Sequence, residues 1–166
     1  MDKPQQRTFP WPTLGGYDIY EVMSALQKSI RRGLEEEALF WASEMDYSSY
    51  GDHLWKRLRV IASEDVGLAD SEMVAKVRAL YSNWMLDPKC QLFYLQAVVL
   101  LVRSPKSRMI DNLAIKFNQE KEKGERPHPL VPDWALDKHT SRGRALGRGM
   151  EHFLQVGAQL NHEVKV

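Results

Sequence analysis

Arg57-Leu-Arg-Val-Ile-Ala-Ser-Glu-Asp-Val-Gly-Leu-Ala-Asp70 is the stretch that decides the fold class. Leu58 and Ile61, with Leu54 one turn earlier, recur at helical spacing, while Lys56, Arg57 and Arg59 fall outside that stripe, and Gly67 is placed to stop the helix. Further on, Leu92-Phe-Tyr-Leu-Gln-Ala-Val-Val-Leu-Leu-Val102 is apolar on almost every side, the pattern of a helix in the middle of a fold. An amphipathic helix followed by a fully apolar one predicts helices layered on helices.

The same period extends in both directions. Asp18 is read as the cap of a first helix in which Ile19, Val22, Met23, Leu26 and Ile30 recur, with Gly33 ending it. A second helix begins near Leu34 with Glu35, Glu36 and Glu37 in its first turn, where the positive end of the helix dipole favours acids. Its expected buried set is Ala38, Leu39, Trp41, Ala42 and Met45. Asp70 or Ser71 caps a fourth helix, Asp87-Pro88 begins a fifth, and Ser104-Pro105 reads as the start of a sixth that gathers Met109, Ile110, Leu113 and Phe117 on one face. Lys121 to Pro132, with three prolines, reads as a loop. No strand-type alternation of useful length occurs. The expected fold is all-α: a compact bundle of about six antiparallel helices, with an extended N-terminal arm and a Gly- and Arg-containing C-terminal loop plus short helix. The expected organisation is an arm over residues 1–16, a helical domain over 17–122, and a Pro-rich loop with a basic extension over 123–166 packing on that domain.

Composition bounds function. At 166 residues, 43% hydrophobic and 27% charged, the chain is ordinary for one globular domain. The net charge of +1 conceals an asymmetry: residues 101–166 hold 12 Lys and Arg against 8 Asp and Glu, whereas residues 1–100 hold 11 against 14. A single cysteine, Cys90, excludes an internal disulfide and reads as a small buried hydrophobe. The apolar run from Leu95 to Val102 is too short to span a bilayer, and the N-terminus has neither an apolar core nor a basic lead of a secretion signal. The expected location is cytoplasmic, without membrane partners, and the initiating Met and distinctive tail are read as the two ends of a natural short chain. Phe9-Pro-Trp-Pro in the arm is read either as a docked extended segment or as a disordered tail.

Four blocks, Asp18 to Ile30, Ala38 to Trp41, Arg59 to Asp70 and Ser104 to Ser107, resemble consecutive segments of the RarA/MgsA family of replication-associated recombination AAA+ ATPases. Val131-Pro132, Thr140 and Gly147-Arg-Gly149 sit where that family carries a Val-Pro segment and a late Gly-Tyr-Gly, with Arg148 in place of the Tyr. The resemblance is to the helical region that follows the ATPase core and holds the subunits together. It therefore implies a homo-oligomer, a tetramer by analogy, in the setting of DNA replication and repair. ATP hydrolysis does not follow, because the chain has no Gly-x-x-x-x-Gly-Lys-Ser/Thr stretch to cradle phosphates and no apolar strand ending in paired acids to hold magnesium.

Candidate sites follow from residue chemistry. Lys138, Arg142, Arg144 and Arg148 lie among three glycines and suit nucleic-acid phosphates; the competing reading is a solvated loop packed through Trp134 and Leu136. Arg103, Lys106 and Arg108 form a second basic cluster, suited to an anion or, with Ser104 and Ser107, to capping a helix. Glu64 and Asp65 stand at the C-terminal end of their helix, where the dipole disfavours acids, which suggests pairing with an Arg or with a neighbouring subunit. Trp41 and Trp84 are assigned to core or subunit interface. No catalytic residue and no cofactor are expected. The remaining metal candidates are Asp137, His139 and His152, which converge only if the tail folds back.

The leading expectation is thus a non-enzymatic oligomerisation and interaction module, contacting DNA or a replication protein through its basic C-terminal part. The second is a motorless regulatory subunit joining a separately encoded AAA+ ATPase. The third is a small metal-dependent hydrolase.

Overall fold

The structure is a computed structural model and describes residues 12–164. The described residues form helices and turns with no strand, and the chain divides into two compact units, Met1–Glu122 and Lys123–Val166. The all-α expectation holds. Phe9-Pro-Trp-Pro, read as either a docked segment or a disordered tail, lies outside the described residues except for Pro12. Just beyond it, Thr13 to Tyr17 form a tight turn whose backbone N–H groups at Leu14 and Gly15 donate to Ser48 Oγ and Glu44 Oε1.

In the first unit, α1 spans Ile19–Arg32, α2 Glu35–Tyr47, α3 Gly51–Ile61, α4 Met73–Leu86, α5 Leu92–Arg103 and α6 Met109–Lys123. The Asp18 carboxylate accepts from the N–H groups of Tyr20 and Glu21 at the start of α1, and Gly33, at φ 74°, closes that helix in the left-handed conformation. After α3 the chain widens into a π-helical turn, Ala62–Val66, then tightens into a 3-10 turn, Gly67–Ala69. Widening of this kind re-aims side chains within a helix. Here it places Asp65 in the core, with none of its side chain exposed.

α5 touches α1, α2, α3 and α4, which makes it the centre of the bundle. Its Tyr94, Ala97, Val98 and Leu101 pack with Leu26, Ile30, Leu54, Trp55, Leu58 and Ile61 from α1 and α3 in one continuous core. Against the expected set for α2, Ala38, Ala42 and Met45 are buried, but Leu39 and Trp41 lie at the core's margin.

Three helix boundaries correct the sequence reading. Asp87-Pro88 does not begin α5. Asp87 closes α4 by donating its N–H to Asn83 O, and the chain makes another turn before Leu92. Ser104-Pro105 does not begin α6. Ser104 is the extended residue that closes α5, its hydroxyl donating to Leu101 O at 2.9 Å, and α6 starts at Met109. In both places a polar residue followed by proline carries the chemistry of a helix start, yet the proline acts as the residue that cannot continue the preceding helix. Lastly, α6 runs on to Lys123, so the expected loop from Lys121 begins only at Gly124.

In the second unit, a 3-10 turn Asp133–Ala135, a short α7 Ser141–Ala145, a single turn α8 Met150–His152 and a π-helical turn Phe153–Gly157 follow one another. Gly143 is buried so closely that a Cβ there would lie 1.8 Å from Asp137 O.

Candidate assembly surface

The buried Asp65 organises the first unit's polar interior. Gln27 Nε2 donates to its Oδ2 at 2.9 Å and Arg31 Nε to its Oδ1 at 2.6 Å. Gln27 in turn accepts from Arg57 Nη1 at 3.0 Å, and Arg31 Nη2 reaches Glu64 Oε1 at 3.2 Å. Hydrogen bonding to Asp65 holds the Arg31 guanidinium pKa above its ordinary value. Arg108, at the entry to α6, lies 3.6 Å from the same Glu64 oxygen and pairs with Asp111 on α6. The backbone joins as well, with Ser107 N–H donating to Asp65 O at 2.8 Å. Carboxylates at the end of α3 thus clamp α1 and the start of α6 to one turn.

The basic cluster at the α5–α6 junction is engaged within the unit. Arg103 forks onto Glu35 of α2 with bonds of 2.6 and 2.8 Å, and that contact lowers the Glu35 pKa. Lys106 Nζ donates to Val102 O at 3.0 Å and Ser104 O at 2.6 Å, a cation at the negative end of α5. Burial lowers the Lys106 pKa, opposed by the field of Asp65.

The tail arginines also serve their own unit. Arg148 donates to Asp133 O and Leu136 O, each at 2.7 Å, and to Asp133 Oδ1 at 2.6 Å. Arg144 donates to Lys138 O, His139 O and Ser141 Oγ. Lys138 sits over the Phe153 ring at 5.5 Å. Arg142 alone of the four makes no such contact among the described residues. The Asp137 carboxylate caps its own loop through the backbone N–H and Nδ1 of His139, both at 2.9 Å, which lowers the Asp137 pKa. His152 does not join them, its Nδ1 being buried without a hydrogen-bond partner. No group of three His, Cys, Asp or Glu suited to a metal ion occurs among the described residues.

The two tryptophans separate. Trp84 is buried against Trp55 and Tyr81 between α3 and α4, and the bare backbone of Gly51 makes room for its ring. Trp41 is half-buried, edge-on to Tyr17 at 5.3 Å and Phe40 at 4.8 Å.

α6 is the outlier of the fold. None of its 15 residues is fully buried, and Met109, Ile110, Leu113, Ile115 and Phe117 are exposed by between 38% and 59%. The sequence displays that apolar face but not how much of it the described residues leave exposed. No described helix is long and apolar enough to cross a membrane.

These features define a helical module with a rigid polar clamp and an uncovered apolar helix. Comparison with known proteins identifies it: residues 35–161 match the family described as MgsA AAA+ ATPase C terminal, and the chain belongs to that family. It is 32% identical over 160 residues to the ATPase WRNIP1 of Dictyostelium discoideum, covering 95% of this chain and 17% of that protein. It is 32% identical over 137 residues to Replication-associated recombination protein A of Bacillus subtilis, covering 80% and 32%. The Haemophilus influenzae protein of the same name is 30% identical over 142 residues, covering 82% and 31%. The chain therefore spans about a third or less of the length of these curated relatives, and the matched part is their C-terminal region.

Proposed function

We propose that this chain is a non-enzymatic assembly module that associates with copies of itself through α6. The observation that carries the reading is the apolar face of α6. A 15-residue amphipathic helix normally buries one stripe, and this one leaves Met109, Ile110, Leu113 and Phe117 in water. The entry to α6 is fixed by Ser107, Arg108, Glu64 and Asp65, so the face is held in place for a partner. A role beside DNA replication and recombination accords with the names of the relatives, and the self-association proposed here is that of a homotetramer.

Phosphate contact is the weaker reading. Arg103, Lys106, Arg144 and Arg148 already donate to carboxylates or carbonyls inside their own units, and a phosphate would have to displace those acceptors. A mixed assembly with the matching region of a full-length family ATPase is a second reading, favoured by identity of 30 to 32% across most of this chain.

Light scattering at tens of micromolar tests self-association. A multimer is expected, and Leu113→Glu with Phe117→Glu lowers its mass while the circular dichroism of the helices stays unchanged. A wild-type monomer at that concentration overturns the proposal.

A further inference from the structure

The outer face of α3 presents Lys56, Arg59 and Val60 at positions i, i+3 and i+4, and Ser63 of the π-helical turn follows them, all exposed. Grooves run along both flanks of this stripe. One is lined by Tyr20 and Met23 of α1, another by Ile110 and Ala114 of α6, and a third by Val74, Arg78 and Met85 of α4. The carboxylates that line them, Glu64 and Asp111, are both held by arginines, and Asp52, one turn before Lys56, lies outside all three. Lys56 and Arg78 have no ion-pair partner among the described residues, and Arg59 lies over the Tyr81 ring at 4.8 Å. The surface is therefore cationic, with apolar recesses between its charges. Arginine and methionine side chains around apolar hollows are the composition of a protein-binding surface.

The opposite chemistry is on α2. Leu34, Glu36, Glu37, Phe40 and Tyr47 are exposed, with Phe40 one turn beyond Glu36. Glu35 is neutralised by Arg103, but Glu36 and Glu37 have no ion-pair partner among the described residues. An acidic ridge flanked by Leu34 and Phe40 thus stands on the same unit as a basic surface with apolar recesses.

We infer that the α3 face is the docking site for the α2 ridge of a second copy, Glu36 and Glu37 meeting Lys56, Arg59 and Arg78 while Leu34 and Phe40 enter the recesses. The inference rests on the self-association proposed above and adds a contact that meets the α6 face at Ile110 and otherwise uses residues outside it. Opposed charges at such a contact set the register and exclude like-charged alignments. Those charges are exposed before docking, so added salt weakens the contact.

Charge inversion tests it. Lys56→Glu with Arg59→Glu, and separately Glu36→Lys with Glu37→Lys, are each expected to raise the concentration of half-assembly at least tenfold by sedimentation. Mixing the two variants, or placing all four changes in one chain, restores assembly, because every inverted charge again faces its opposite. The substituted side chains are exposed, and circular dichroism checks that the helices persist. If both variants assemble like the wild type, the docking site falls while the α6 reading stands. A monomeric wild type removes both. Failure of the mixture and of the fourfold variant to recover overturns the charge pairing. If groove inversion leaves assembly intact but abolishes binding of a labelled oligo-dT, the surface is a nucleic-acid site and the inference is wrong.

Discussion

Asp65, on the π-helical turn after α3, accepts a 2.6 Å hydrogen bond from Arg31 of α1 although none of its own side chain reaches water. A carboxylate in that position is stable only while its partners stay, since removing one partner of a buried pair leaves an uncompensated charge.

Replacing Arg31 with Met retains the stem and deletes the guanidinium. Arg31→Met is expected to destabilise the first unit by about 3–5 kcal/mol in urea titrations. Arg31→Lys recovers part of that, because an ammonium reaches one carboxylate but cannot fork between Asp65 and Glu64. A loss below about 1 kcal/mol for Arg31→Met contradicts the clamp.

Gly67 stands at φ 51°, ψ −128°, a conformation that side chains strain to adopt, and a Cβ there would lie 3.0 Å from Ser107 O. Gly67→Ala is expected to cost about 1–3 kcal/mol in stability. Hydrogen exchange should report the loss first at the Ser107 amide, whose bond to Asp65 O depends on that close approach.

The Glu35–Arg103 fork links stability to acid. The Glu35 pKa is lowered in the folded chain, so its contribution is fully present above the ordinary glutamate value and is lost as pH falls through the lowered one. Glu35→Gln should melt below the wild type at neutral pH. The two melting curves should converge under acid, and a gap that persists there contradicts the linkage.

Gly143→Ala tests the tail on its own terms. The added methyl meets Asp137 O, so the loop from Asp137 to Arg148 must open. Limited proteolysis should cut within residues 137–148 of the variant and spare them in the wild type, with the melting of the first unit unchanged.

Much of the fold was legible in the sequence because its signals are local. Asp18 by its carboxylate and Gly33 by its left-handed backbone bracket α1, and the apolar run from Leu92 marks the central helix. Ser104-Pro105 misled because capping chemistry is nearly the same seen from either side. The Ser104 hydroxyl on Leu101 O and Lys106 folded back onto Val102 O and Ser104 O tell that Ser104 ends one helix rather than starting another. The dipole mismatch at Glu64 and Asp65 points to an arginine or to a neighbouring subunit, but Arg31 lies 34 residues before Asp65 and no spacing rule selects it. Gln27 gave no signal at all, since a lone glutamine on an apolar face reads as a surface residue until the buried carboxylate beside it is known. The tail's arginines were legible as cations but not as donors to the carbonyls of their own loop.

The bond from Ser107 N–H to Asp65 O joins the first residues before α6 to the most buried charge in the unit. An uncovered helix on a slack tether would surrender orientational freedom each time it met a partner, and much of its contact energy would go to ordering. Anchored in the core, α6 loses little on capture. Mutations at the buried end of the clamp, Gln27 or Asp65, should therefore appear first as faster dissociation of the proposed assembly.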